Sequence, residues 1–202
     1  MDLQYWEDYY KKHPEAFTPS DFVQTLPKYI NPTESIIDLG CGNARDTTVF
    51  ATLGLDTTGI DQCDEQIDRL NEQYTHLDTL QFKTGDFTHM KCKNVVDHAY
   101  SRFTLHSIDE NAENRLIQWA SKSVQKYFFI ETRSDKDKLN GVKTDHYRRF
   151  INMNHLLLKL INAGFEIEYA ELSRNFSKYD SRYKVDYNEE DPMLIRVVAR
   201  KL

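Results

Sequence analysis

The stretch Ile36-Ile37-Asp38-Leu39-Gly40-Cys41-Gly42-Asn43-Ala44 constrains this chain more than any other. An apolar run enters a tight Gly-x-Gly turn, and a helix-forming segment follows at once. Glycine accepts backbone angles that other residues resist and lets a ligand touch the main chain. A strand that feeds a helix through such a turn opens a βαβ unit, and the rest of the chain repeats the alternation.

Short β-rich runs at Ser35–Leu39, Thr57–Asp61, Gln81–Gly85, Val95–Ser101 and Tyr127–Glu131 predict five strands. Helical patterns at Arg45–Leu53, Asp64–His76, Asn111–Lys126 and Asn152–Ala163 separate or follow them. This spacing predicts a mainly parallel sheet. Two further strands, Phe165–Glu171 and Leu194–Arg200, have no helix between them, so an antiparallel hairpin joins them. The polar and aromatic stretch Asn175–Asp191 reads as its long loop. Before the first strand stand Tyr5, Trp6, Tyr9, Tyr10, Phe17 and Phe22, and Pro19 opens a short helix towards Tyr29. Residues 1–30 either pack as helices on the sheet edge or form a helical lid, since aromatic side chains cover flat rings well.

Composition sets the class. With 202 residues and 40% hydrophobic content the chain has enough for a full core, and it carries no repeat or low-complexity linker. One domain over 1–202 is expected. No apolar run reaches the roughly 20 residues of a membrane span, and no signal peptide is read at the N-terminus. Cys41, Cys63 and Cys92 form neither a CxxC pair nor a disulfide framework, which suits a reducing cytoplasm. A net charge of -6 argues against a nucleic-acid duplex as partner. The oligomeric state is not legible.

Three features reinforce the glycine turn. Asp38 precedes it. Thr57-Thr58-Gly59-Ile60-Asp61 ends a second strand in an acid about 20 residues on, where a ribose-binding carboxylate is expected. Thr84-Gly85-Asp86-Phe87 ends a third strand in an acid and an aromatic. Together these residues resemble the class I S-adenosylmethionine (SAM)-dependent methyltransferases. The resemblance implies an α/β, Rossmann-like, seven-stranded and mostly parallel sheet with helices on both faces and the last strand antiparallel. It implies SAM as cofactor and S-adenosylhomocysteine as product. Asp38, Gly40, Cys41, Gly42, Asp61, Gln62, Asp86, Phe87, Ser101 and Arg102 would bind it. Gly40 and Gly42 pass beneath the methionine moiety, Asp61 takes the ribose hydroxyls, and Asp86 with Phe87 meets the adenine. Ala44 stands where a third glycine is common, which implies tighter packing. A dinucleotide turn would need glycine at position 45, where Arg45 stands.

The acceptor is sought after strands four and five, since ligands gather beyond the carboxyl ends of parallel strands. Within Ser101-Arg102-Phe103-Thr104-Leu105-His106, His106 is either a general base or a packing residue. Asp109 reads as a helix cap. Glu131 is the reserve base. Arg133, His146 and Arg148 are candidate acceptor contacts, because arginines clamp phosphate and sugar groups. Arg148 and Arg149 are adjacent, so only one is expected to serve the site. These segments resemble a subset of small bacterial or viral methyltransferases linked to surface-glycan modification.

The Asn/Asp-Pro-Pro-aromatic turn of base-amino methyltransferases is missing. So is the Asp-Asn pair of catechol-type metal enzymes, and no catalytic metal is expected. Asp135 and Asp137 read as solvated loop acids. The expected reaction is methyl transfer to a hydroxyl of a sugar or surface glycan. The alternatives are a small-molecule thiol or metalloid methyltransferase and a SAM-binding partner without catalysis.

Overall fold

A computed structural model of the chain describes residues 2–13, 18–91, 95–138, 146–176 and 191–202. Seven strands form one sheet: β1 Ser35–Leu39, β2 Asp56–Asp61, β3 Leu80–Thr84, β4 Val96–Arg102, β5 Val124–Arg133, β6 Phe165–Ser173 and β7 Leu194–Lys201. Their order is β3-β2-β1-β4-β5-β7-β6. The first five are parallel, and β7 runs antiparallel to both β5 and β6. This is the fold the sequence predicts, including the β6–β7 pairing.

The period-two alternation of side chains explains why both faces are covered. Ile37, Ala99, Phe128 and Val197 point to one face and meet α5 (Glu110–Ser123) and α6 (Met153–Asn162) through Leu116, Ile117, Leu156 and Leu160. Their neighbours Ile36, Tyr100, Phe129 and Val198 point to the other. There they meet Phe22 of α2 (Asp21–Gln24) and Phe50 of α3 (Thr47–Thr52). A third cluster seats Ile67 and Leu70 of α4 (Asp64–Gln73) on Leu80 and Phe82. The N-terminal helix α1 (Leu3–Lys12) contributes no fully buried side chain.

Several boundaries differ from the sequence reading. Helix α5 stops at Ser123, and Val124, fully buried, starts β5 opposite Val96. A β-branched residue packs better there than in a last helical turn. Helix α3 starts at Thr47, later than the sequence suggests, and the Asp46 side chain turns to Ser20 instead of capping it. Pro19 lies before a helix rather than opening one. Ser20 is the cap, accepting from the Val23 amide, and a separate 3-10 turn at Pro27–Tyr29 follows. Asp109 caps α5 as expected, accepting from the Ala112 amide at 2.7 Å.

The strand order reverses between β1 and β4, and β1 to β5 all end on the same edge. Such a switch point leaves a crevice between diverging loops. Among the described residues no helix is long and apolar enough to cross a membrane.

Candidate active site

The glycine turn is closed by main-chain bonds. The amides of Gly40 and Cys41 donate to the Ile60 carbonyl at 2.8 and 3.0 Å, which ties the end of β1 to the end of β2. Gly40 and Gly42 take φ of +80° and +55°, the left-handed region that side chains resist. Space alone would exclude larger residues. A Cβ on Gly40 would stand 2.4 Å from Thr104 Cγ2, and one on Gly42 would stand 2.4 Å from the Tyr10 hydroxyl. Ala44, in the place of a third glycine, adopts the same conformation at φ +63° and is fully buried. Its methyl packs in the α4 cluster with Cys41 and Ile67.

Two acids support the turn. Asp61 Oδ2 accepts from the Gly42 amide at 3.0 Å and Oδ1 from the Cys63 amide at 3.1 Å. Burial raises its carboxyl above the usual range despite these bonds, to which the Gln62 amide adds. Asp38 is buried and accepts from the Thr47 hydroxyl at 2.7 Å. Burial, reinforced by Asp46 and Asp61, pushes its carboxyl up to about 7. Asp86 stands apart, accepting from Thr88 and meeting His89 Nδ1 at 2.7 Å. Burial opposes its ionisation, but these bonds outweigh it and lower the carboxyl. Phe87 is buried and comes closest to the turn at Gly40.

A chain of charges runs beneath the turn towards β7. Asp46 accepts from the Ser20 amide, the Ser20 hydroxyl and the Tyr100 hydroxyl, each at 2.8 Å. Arg102 lies 3.9 Å from Asp46 and 2.8 Å from Glu131. Glu131, fully buried, also takes Arg196 Nε at 2.5 Å. Both its oxygens are thus committed to guanidinium groups. Glu131, the reserve base read from the sequence, is engaged by Arg102 and Arg196. Ser101 meets the Thr104 hydroxyl below the turn. Phe103 sits at φ +58°, with the Arg102 guanidinium 4.2 Å from its ring centre. A bulky residue at positive φ is a true outlier, and such strain collects at functional turns.

His106 follows on a 3-10 turn, Leu105–Ser107, and is 4% exposed. Its Nδ1 lies 3.4 Å from the Thr132 hydroxyl. Burial, then the nearby cations Arg133 and Arg148, with His146 and Arg102, holds its imidazole well below the ordinary range. It is therefore neutral near pH 7, with a lone pair to offer. Arg133 pairs with Asp137 at 3.2 Å, and Asp137 also accepts from the Met193 amide at 3.0 Å. Asp137 is thus a buried ion-pair partner and not a solvated loop acid. Asp135 accepts from Asn152 at 2.8 Å. Arg148 and Arg149 part, as adjacent residues must. Arg149 goes to Glu113 of α5, and Arg148 donates to His146 Nε2 at 3.2 Å.

Helix α1 lies over these groups. The Tyr5 ring stacks on His146 with centroids 4.2 Å apart, and Trp6 lies 5.4 Å from the same ring. One turn on, Tyr10 reaches Gly42. Burial, and then the Asp61 carboxylate, raises its phenol well above the usual value.

The structure brings Gly40, Cys41, Gly42, Asp61 and Phe87 together at one turn, with Asp38 beneath it. It joins Arg102 to Glu131, and groups His106, Arg133, His146 and Arg148 in one electrostatic neighbourhood. Thr104, Asp46, Arg196 and Tyr10 were not singled out in the sequence, though the aromatic run holding Tyr10 was visible. Most of the polar and aromatic loop read over Asn175–Asp191, with Tyr179, Tyr183 and Tyr187, lies outside the described residues. Among the described residues no group of three metal-ligating side chains comes together.

Comparison with known proteins agrees with this geometry. Residues 36–126 match the family described as a methyltransferase domain. The 235L protein of Invertebrate iridescent virus 6, named as a methyltransferase, is 26% identical over 170 residues. That alignment covers 80% of this chain and 63% of the viral protein, so the chain spans less than two thirds of that relative's length. A SAM-dependent methyltransferase from Methanosarcina mazei shares the fold with a TM-score of 0.69 at 19% identity, over 88% of this chain and 97% of that one. The [4+2]-cyclase SpnF superposes with a TM-score of 0.75 at 15% identity, over 98% and 93% of the two chains. Residues 36–126 thus resemble a methyltransferase domain, and the chain shares its fold with solved SAM-dependent methyltransferases.

Proposed function

We propose that this chain transfers the methyl group of SAM to a hydroxyl of a sugar or surface-glycan acceptor. The observation that carries the reading is the pairing of a glycine turn tied to Asp61 with a neutral, buried His106 on the next carboxyl-edge loop. The left-handed turn at Gly40 and Gly42 suits a ligand held against the main chain once Tyr10 gives way over Gly42. Asp61 offers carboxylate oxygens to hydroxyls, and Asp86 with Phe87 would meet the base. When bound, SAM supplies a methyl group already activated on a sulfonium. The protein's task is then to orient the acceptor, exclude water and take up a proton.

His106 serves the last task. A hydroxyl is a weak acid, and a neutral imidazole accepts its proton as the new bond forms. Arg148 and His146 would hold the acceptor beside it, with Arg102, Glu131 and Arg196 fixing the floor. A thiol acceptor would need His106 less and would tolerate loss of Arg148. The SpnF likeness shows why fold alone does not decide the reaction, so the proposal rests on these side chains.

The test is a screen with isotopically labelled SAM against sugars, nucleotide-sugars, small thiols and tRNA. Label in a saccharide is the expected result. Transfer to a small thiol or metalloid, with none to any saccharide, would overturn the acceptor assignment.

A further inference from the structure

Helix α1 is fastened in an unusual way. None of its side chains is fully buried. One polar tie to α4 is the exposed Lys11–Glu65 pair at 3.3 Å, and such pairs contribute little. What seats it is aromatic contact at two places. At one end Tyr5 stacks on His146, which takes a hydrogen bond from Arg148. At the other the Tyr10 hydroxyl fills the space directly over Gly42, where any ligand lying along the glycine turn must pass.

These two ends belong to different halves of the site, yet they sit on one short helix. Tyr5 and Tyr10 are five residues apart, about 7.5 Å of helix rise. Between them the rings are continuous. Tyr5 stacks on Tyr9 and Trp6 on Tyr10, with centroids 6.4 and 6.1 Å apart. Trp6 and Tyr9 meet edge to face at 5.7 Å. Residues four apart share one helical face, so a displacement at one end carries the other.

The chain beyond α1 is pinned. The Ser20 amide and hydroxyl are held by Asp46, just past the glycine turn, and Arg45 bonds the Thr18 carbonyl. Thr18 and Ser20 are therefore tied to the segment just past the glycine turn, while α1 itself meets the site through its two aromatic ends.

We propose that α1 is a single clamp across both half-sites, in which Tyr10 closes the glycine turn and Tyr5, through His146, positions the acceptor segment. Admission of the cofactor at Gly42 displaces Tyr10 and moves the Tyr5–His146 stack with it. Loosening the acceptor end then eases binding at the cofactor end. This inference rests on the SAM reading above and adds the coupling to it.

Stopped-flow binding of S-adenosylhomocysteine to the whole chain, followed by Trp6 fluorescence, tests it. Trp6→Phe assigns the signal, since Trp119 is buried in the core. Tyr10→Ala and Tyr5→Ala should each speed association about two- to tenfold, the range expected for losing one aromatic contact. Tyr5→Phe keeps the stack and should keep the wild-type rate. Circular dichroism checks that each variant is folded. Equal rates in all folded variants would overturn the clamp, and so would saturation by calorimetry without any change at Trp6. A faster rate in Tyr10→Ala alone would overturn the coupling. Failure of any protein to bind would instead overturn the cofactor reading on which the clamp depends.

Discussion

On the β1–β2 side of the switch point, the site is made of main chain. Amides of Gly40 and Cys41 meet the Ile60 carbonyl, and Asp61 collects the amides of Gly42 and Cys63. On the β4–β5 side it is made of side chains meeting side chains. Arg102 and Arg196 hold Glu131, Arg133 holds Asp137, and Arg148 meets His146. The first half suits one invariant ligand, because backbone geometry changes little with sequence. The second can be rebuilt one side chain at a time. The acids follow the same division. Asp38 and Asp61 on the first side are raised by burial, whereas Glu131 and Asp137 pair with arginines.

The sharpest break between the halves should come from His106→Ala. We expect unchanged affinity for SAM and a turnover loss of about 10²- to 10⁴-fold, the range for a general base. Steady-state rates beside a binding isotherm check it, and normal turnover would return His106 to packing. Because the folded imidazole lies well below 6.5, the acid limb of kcat should also fall well below pH 6.5.

Glu131→Gln should act on stability. Breaking a buried ion pair costs about 3–5 kcal/mol, and Arg102 and Arg196 would be left facing a neutral amide. Denaturant unfolding should show that loss. A variant of wild-type stability that has lost turnover would make Glu131 the base after all.

Much of the first half was legible in the sequence, for a physical reason. Its turn lies within nine consecutive residues, and the strand-end acids Asp61 and Asp86 follow from the βαβ spacing. The second half draws on β4, β5, β7 and the segment after β5, so its pairings depend on register. Arg196 meets Glu131 only because β7 runs antiparallel beside β5, 65 residues away. Asp137 looked solvated among charged neighbours, and nothing local marks it as the partner of Arg133. The aromatic run in α1 was visible, but its two targets were not.

Two binding variants should separate the halves next. Asp61→Ala should weaken SAM binding about 10- to 100-fold, since a charged hydrogen-bond partner contributes about 1.5–3 kcal/mol. Arg148→Ala should leave that affinity alone and raise the acceptor KM by about tenfold, the mark of lost acceptor binding. Calorimetry and initial rates distinguish them, and an Arg148→Ala effect on SAM affinity would merge the two halves.

In the pH dependence of stability the halves should slope in opposite senses. Asp38 keeps its proton in the folded chain up to about 7 and loses it near 3.8 when unfolded. Its contribution therefore falls as pH rises through that window. His106 stays neutral when folded but protonates below 6.5 when unfolded, so its contribution falls as pH drops. Asp38→Asn should gain Tm relative to wild type between pH 5 and pH 8. A constant difference across that range would remove the buried acid from the account.

The central claim is that the Gly40–Gly42 turn with Asp61 is a SAM cradle. Isothermal titration of the wild-type chain with S-adenosylhomocysteine, set beside the same titration with NAD, tests it most directly. The account predicts saturable one-to-one binding of S-adenosylhomocysteine and no heat with NAD. Heat with NAD alone, or none with either, would contradict it.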